Sequence, residues 1–306
     1  MKTHSRRAAL YALLTATLIT LTACQTIGTP TPNSPGLAFP NPSSTTYEQA
    51  AEAYNRNARQ LQRLWANAVV RISYTDENNE RRQEQGDGRL QIIQPDRVAL
   101  NIGKLGQTYL WTGCDATRYW WIDLTSDEHF AFAGKHQGYQ RSRARSFGIV
   151  VPPLEIITLL GIKPIPPTGG AIQVSSDGNL LGLTTKLADG QGKQRIWLDT
   201  NTALPVQIEI LGSDPQSQLV AELADHQTVA VRGTGNPPQL ATRIKIAHTA
   251  SGSLVTLDLS EMEDGIERLR PEAFNLGTLL TQMRVDKLYD LDKPRTPTPT
   301  PAKTQE

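Results

Sequence analysis

Val69-Val70-Arg71-Ile72-Ser73-Tyr74 and Gly88-Arg89-Leu90-Gln91-Ile92-Ile93-Gln94-Pro95-Asp96-Arg97 are the two runs whose reading decides the fold. Apolar side chains in them recur at every second position, the period of a strand that presents one face to a core. The polar residues 76–80 between them supply a turn, and Pro95-Asp96 punctuates the second run before a further strand. Short runs at 97–102, 107–111, 118–124 and 129–133 keep this period, with Gly, Asp and Asn where the backbone must bend. Strands so close together, joined by short turns, form an antiparallel meander.

Working outward, the residues before the first run change period. Thr45-Thr46-Tyr47-Glu48 has capping-box spacing, and Tyr47, Ala51, Tyr54, Ala58, Leu61 and Trp65 follow at steps of three and four, which predicts an amphipathic helix reaching Ala66. After the meander comes a basic stretch at 140–145, then a nearly all-apolar segment opened by Pro152-Pro153 and closed by Gly161, the signature of a short helix. Strands are expected again at 171–175, 180–187, 195–198, 205–211, 219–223, 240–248 and 253–259, and a last helix over 277–288. The prediction is one mainly β domain with helices at its start, middle and end.

The chain opens with Lys2, Arg6 and Arg7, continues uncharged from residue 8 to 23, and ends that run in Leu21-Thr22-Ala23-Cys24. Positive charge, an apolar core too short to span a bilayer, small residues and a cysteine at the cut together resemble a bacterial lipoprotein signal. The resemblance implies removal of residues 1–23, a diacylglycerol and palmitate-type acyl chains on Cys24, and, because Gln25 and not Asp follows, sorting to the outer membrane of the cell envelope. Each buried acyl methylene contributes about 0.8 kcal/mol, so two or three chains anchor permanently. Loss of the three leader cations lowers the formal net charge from +1 to −2, and 31 basic and 30 acidic residues are interspersed. That balance gives no basic face for nucleic acid. With Cys24 lipidated, Cys114 is left without a disulfide partner, so stability must come from a core.

Composition divides the chain into a leader (1–23), a lipidated Cys24 with a flexible linker (24–45), a folded domain (46–290) and a Pro/Thr-rich disordered tail (291–306). A Pro-rich tether extends at about 3 Å per residue, which lifts the domain roughly 50 Å from the bilayer.

The order of elements resembles the lipoprotein-localisation family of LolA/LolB-type incomplete β-barrels. A leading helix precedes Gly88–Arg97 with its proline turn, an aromatic strand at 117–123, the mid-chain apolar helix, Ile196-Trp197-Leu198-Asp199-Thr200-Asn201-Thr202-Ala203-Leu204-Pro205, and Pro271-x-x-Phe274. The resemblance implies a strongly bent antiparallel sheet, a half-open barrel, with helices covering its concave face. It also implies a groove for lipid or for the acyl chains of lipoproteins, in a carrier or acceptor role. Leu154, Ile156, Ile157 and Leu160 are then the side chains of a lid over the groove, against the plainer reading of that helix as permanent core. Leu105, in the tight turn Gly103-Lys104-Leu105-Gly106 where Asn or Asp is expected, resembles the protruding apolar loop of the membrane-anchored acceptor.

Catalytic motifs are absent: there is no Gly-x-Ser-x-Gly, His-Glu-x-x-His, Cys-x-x-Cys or Walker pattern, and Gly86-Asp87-Gly88 reads as a turn. Asp123, Asp127, Glu128 and His129 read as a solvated hairpin in preference to a metal site. Arg141, Arg143 and Arg145 read as a solvated loop, with lipid phosphates as the functional alternative. Of the strand tryptophans Trp111, Trp120, Trp121 and Trp197, the neighbours Trp120 and Trp121 must face opposite ways. Cys114 is placed in a turn with no base near it. The reading is a non-enzymatic envelope lipoprotein without cofactor or metal that binds lipid or lipoprotein acyl chains. The alternative is a structural or sensing lipoprotein with a filled core that binds a protein partner.

Overall fold

The computed structural model of the chain describes residues 39–75, 78–141, 151–187, 190, 192–212 and 217–293. The leader, Cys24, Arg143, Arg145 and the tail from 294 onward therefore lie outside the described residues. Helix α1 (Tyr47–Ala58) is capped by Thr46: its hydroxyl accepts the Gln49 N–H at 3.3 Å while the Gln49 side chain accepts the Thr46 N–H at 3.0 Å. The capping box thus sits one residue later than expected, on Thr46 and Gln49. The helix also ends at Ala58 and not at Ala66. Beyond it Leu64, Ala66, Ala68 and Val70 alternate inward on a strand that hydrogen-bonds on both sides, and that long-range pairing overrides local helical spacing.

Among the described residues fourteen strands follow: β1 (Arg63–Thr75), β2 (Arg81–Ile93), β3 (Arg97–Lys104), β4 (Gln107–Cys114), β5 (Arg118–Asp123), β6 (Phe130–Lys135), β7 (Ala171–Val174), β8 (Leu180–Lys186), β9 (Lys193–Asp199), β10 (Pro205–Leu211), β11 (Ser217–Thr228), β12 (Gln239–His248), β13 (Leu254–Glu263) and β14 (Lys287–Asp290). All belong to one sheet in the order β14-β6-β5-β4-β3-β2-β1-β13-β12-β11-β10-β9-β8-β7. It is two antiparallel meanders joined where β1 pairs with β13. The sheet bends strongly without closing, so β14 and β7 are free edges, as the half-open barrel expectation requires. Gly86 and Gly88 form no turn; both lie within β2. A Cβ at position 88 would stand 1.9 Å from the Asn101 carbonyl oxygen, so glycine there lets β3 press close where the sheet curves.

A short helix α2 (Pro153–Leu159) crosses between the two meanders, and α3 (Leu276–Gln282) follows β13. Helices α1 and α2 share one hydrophobic cluster with the inward side chains of both meanders. Helix α3 instead packs its Leu276 and Leu279 with Trp120, Ile122 and Ala131, the outward side chains of β5 and β6. Helical cover is therefore not confined to the concave face. The expected helix over 277–288 stops at Gln282, and Lys287–Asp290 becomes β14, paired parallel with β6. The Asp286 carboxylate accepts the His129 N–H at 2.8 Å and fixes this docking.

Packing extends slightly past both compositional boundaries. Phe39 is buried and donates its N–H to the Thr200 carbonyl at 2.8 Å, and Pro42–Ser44 form a turn of 3₁₀ helix, so this end of the linker rests on the domain. Leu291 is buried, with its N–H on the Ala133 carbonyl at 2.7 Å. No helix among the described residues is long and apolar enough to cross a membrane.

Candidate functional site

The alternation of each strand decides what reaches the concave face. On β1, Val70 and Ile72 point inward; β13 offers Val255 and Leu257, β3 Leu100 and Ile102, and β4 Leu110 and Thr112. These side chains do not fill the space they enclose. They bound a cavity of about 640 Å³, roofed by Val151 and by Ile156 and Leu160 of the α2 segment. A pocket of this size with an apolar lining is the ordinary form of a small-molecule site.

The four side chains expected as a lid are divided by helical geometry. Ile156 and Leu160, four residues apart and so on one face, line the cavity. Ile157 points away and is buried in the core, while Leu154 is half-buried against the core cluster outside the cavity lining. The helix is thus core on one side and roof on the other. Its position is fixed by charge: Glu155, 3% exposed, pairs with Arg141 and accepts the Tyr139 hydroxyl at 2.9 Å. Burial, and then the Glu155 carboxylate beside it, push the Tyr139 phenol far above its usual pKa, so it remains a hydrogen-bond donor. Arg141 is consequently no solvated loop residue.

The lining changes character along the strands. The register pairs Val70 with Leu257 and Gly86, then Ile72 with Val255 and Glu84. One step further come Tyr74 and Thr75, while Ser253, Ser251 and His248 close the β12–β13 turn. Asp123 at the end of β5 and Thr125 just beyond it occupy the same end, the Asp123 carboxylate accepting the Thr125 N–H at 2.8 Å. The cavity is apolar at its floor and polar at this hairpin end, its mouth.

The β3–β4 hairpin projects at the mouth end, two residues beyond Ile102. Its two-residue loop is Leu105-Gly106, with φ of 55° and 82°. Leu105 is 94% exposed. A branched side chain in left-handed backbone costs about 1–2 kcal/mol, and here its apolar surface gains no burial in return.

Other residues singled out in the sequence fall elsewhere. Trp121 lines the cavity, and Trp120 faces the opposite way beneath α3. Trp111 joins the same outer clusters, and the Trp197 indole N–H donates to Glu209 at 2.7 Å. Cys114 is not in a turn: it ends β4, buried, with its thiol donating to the Asp96 carbonyl at 3.0 Å, and burial pushes its pKa up to about 12. Glu128 meets Lys287 at 2.7 Å and His129 Nδ1 lies 2.9 Å from the Met283 carbonyl, so these two members of the expected solvated hairpin serve the β14 docking. What the sequence reading missed are the inward members of β1 and β13. The i, i+2 pattern of Val70-Ile72-Tyr74 and of Ser253-Val255-Leu257 marks them as inward but carries no sign that they face open space.

No protein-family model matches the chain, and no curated protein matches it in sequence. Solved structures resemble it in fold. A LolA superfamily protein from Nitrosomonas europaea is 14% identical with a TM-score of 0.46, covering 74% of this chain and 98% of its own. A domain described as an outer membrane lipoprotein-sorting protein from Vibrio parahaemolyticus is 12% identical with a TM-score of 0.48, covering 76% of this chain and 96% of its own. At such identities the likeness concerns architecture, and what either protein binds does not transfer with it.

Proposed function

We propose that this protein is a non-enzymatic lipoprotein of the cell envelope, anchored in the outer membrane through acyl chains on Cys24, whose barrel takes an acyl chain of a lipid or of another lipoprotein. The observation that carries the reading is the cavity of about 640 Å³ between the concave sheet and the Ile156/Leu160 face of α2. A buried methylene contributes about 0.8 kcal/mol, so about ten of them inside supply about 8 kcal/mol before the loss of chain freedom is counted. Leu105 at the mouth gives the exposed apolar contact through which a chain passes between cavity and bilayer.

Native mass spectrometry of the protein purified from its full sequence tests this. Co-purifying lipid is expected in the parent and is reduced by Ile156→Asp, which puts a charge on the roof. Lipid in neither protein, with both folded, rejects the reading. Mass analysis of the mature N-terminus tests the anchor, since an unmodified Cys24 thiol removes it.

A further inference from the structure

Resting on the acyl-chain reading above, we infer that the cavity admits a chain tail first and selects against a negatively charged polar end, with Glu84 and Asp123 as its specificity-determining residues. The occupant is an acyl chain on an uncharged end, such as a glyceride, in preference to a fatty acid or an anionic phospholipid.

Three observations converge. The lining runs from Leu257, Val70 and Leu100 at the floor to hydroxyls and carboxylates at the mouth, so only the tail of an amphiphile finds apolar partners inside. The charged side chains on the lining have one sign: Glu84 and Asp123 belong to it, no lysine or arginine does so among the described residues, and Arg82, opposite Tyr74, pairs with Glu80 at 2.6 Å. Neither carboxylate forms an ion pair among those residues; Glu84 accepts the Tyr74 hydroxyl at 2.6 Å and Asp123 accepts the Thr125 hydroxyl at 2.6 Å. The imidazole on the lining is engaged by its own turn, His248 Nδ1 lying 2.8 Å from the Ser251 hydroxyl. A polar end held here sits beside two negative charges at the edge of an apolar wall, where repulsion is less screened than in open water.

The test titrates the full-length protein with a monoacylglycerol and with the fatty acid of the same chain, each displacing an uncharged fluorescent acyl probe at low salt. The glyceride is expected to bind about tenfold more tightly, the gap narrowing at high salt. The Glu84→Gln/Asp123→Asn double variant keeps both hydrogen-bond acceptors and closes the gap by tightening the fatty acid alone. Equal binding of the two ligands by the parent, or a gap that persists in the double variant, overturns the selectivity while leaving acyl binding in place. Binding of neither ligand nor probe overturns the acyl-chain reading itself. Should the double variant not fold, a gap in the parent that ignores salt overturns the selectivity on its own.

Discussion

On β8, β9 and β10 the inward side chains Leu181, Leu183, Ile196, Leu198, Ile208 and Ile210 are no more than 1% exposed and belong to the packed core. On β1, β3 and β5 the corresponding Ile72, Ile102 and Trp121 are half-buried and face the cavity. Sequence alternation is the same in both meanders, so the difference comes from what lies above them. Helix α1 is bolted over the second meander by the Tyr47 and Tyr54 hydroxyls, 2.9 Å from the Pro166 and Lys163 carbonyls, and by Asn55, which bonds both the N–H and the carbonyl of Ile165. The first meander receives one face of α2. Under that single face the concave side stays hollow.

Four experiments break or sharpen that contrast. The largest effect is expected where α2 is latched: Glu155→Ala leaves Arg141 buried, with only 10% of its side chain exposed, and should destabilise the fold by about 3–5 kcal/mol in urea unfolding. A loss under about 1 kcal/mol would mean that the pair does not hold the roof. Next, truncation should separate the two halves. Leu198→Ala in the packed half is expected to cost about 2–5 kcal/mol, and Leu110→Ala on β4 about 1, because Leu110 is half-buried and already has a void on one side. Enlargement gives the reverse test: Leu198→Phe costs about 1–3 kcal/mol by overpacking, whereas Leu100→Phe on β3, which can grow into the cavity, costs under about 1. Equal penalties in either experiment would contradict a hollow first half. The smallest effect falls at the mouth, where Leu105→Asn suits a φ of 55° and should raise stability by about 0.5–1 kcal/mol. The same change should slow transfer of a bound chain to vesicles.

Much of this was legible beforehand. The strands of both meanders, the Pro-started helix between them and the exposed turn at Leu105 follow from period, punctuation and turn chemistry, all of which act over a few residues. The failures have one origin. Leu61 and Trp65 fit a helical repeat, yet residues from Trp65 onward are held by partners nearly two hundred positions away on β13, and no local pattern announces such partners. Lys287 and Leu288 read as helical for the same reason, yet they pair with β6. Arg141 read as solvated because its neighbours are basic, and only the fold brings Glu155 and Tyr139 to it.

By itself, the amino-acid order determined that this chain folds as a largely β domain with a balanced charge, which of its side chains turn inward, and that a tight turn would carry a leucine. Whether those inward side chains meet a helix or a void, and which carboxylates surround the opening, was decided only when strands distant in sequence came together. Inward direction is a property of one strand's pleat, but emptiness is a property of everything that fails to arrive above it.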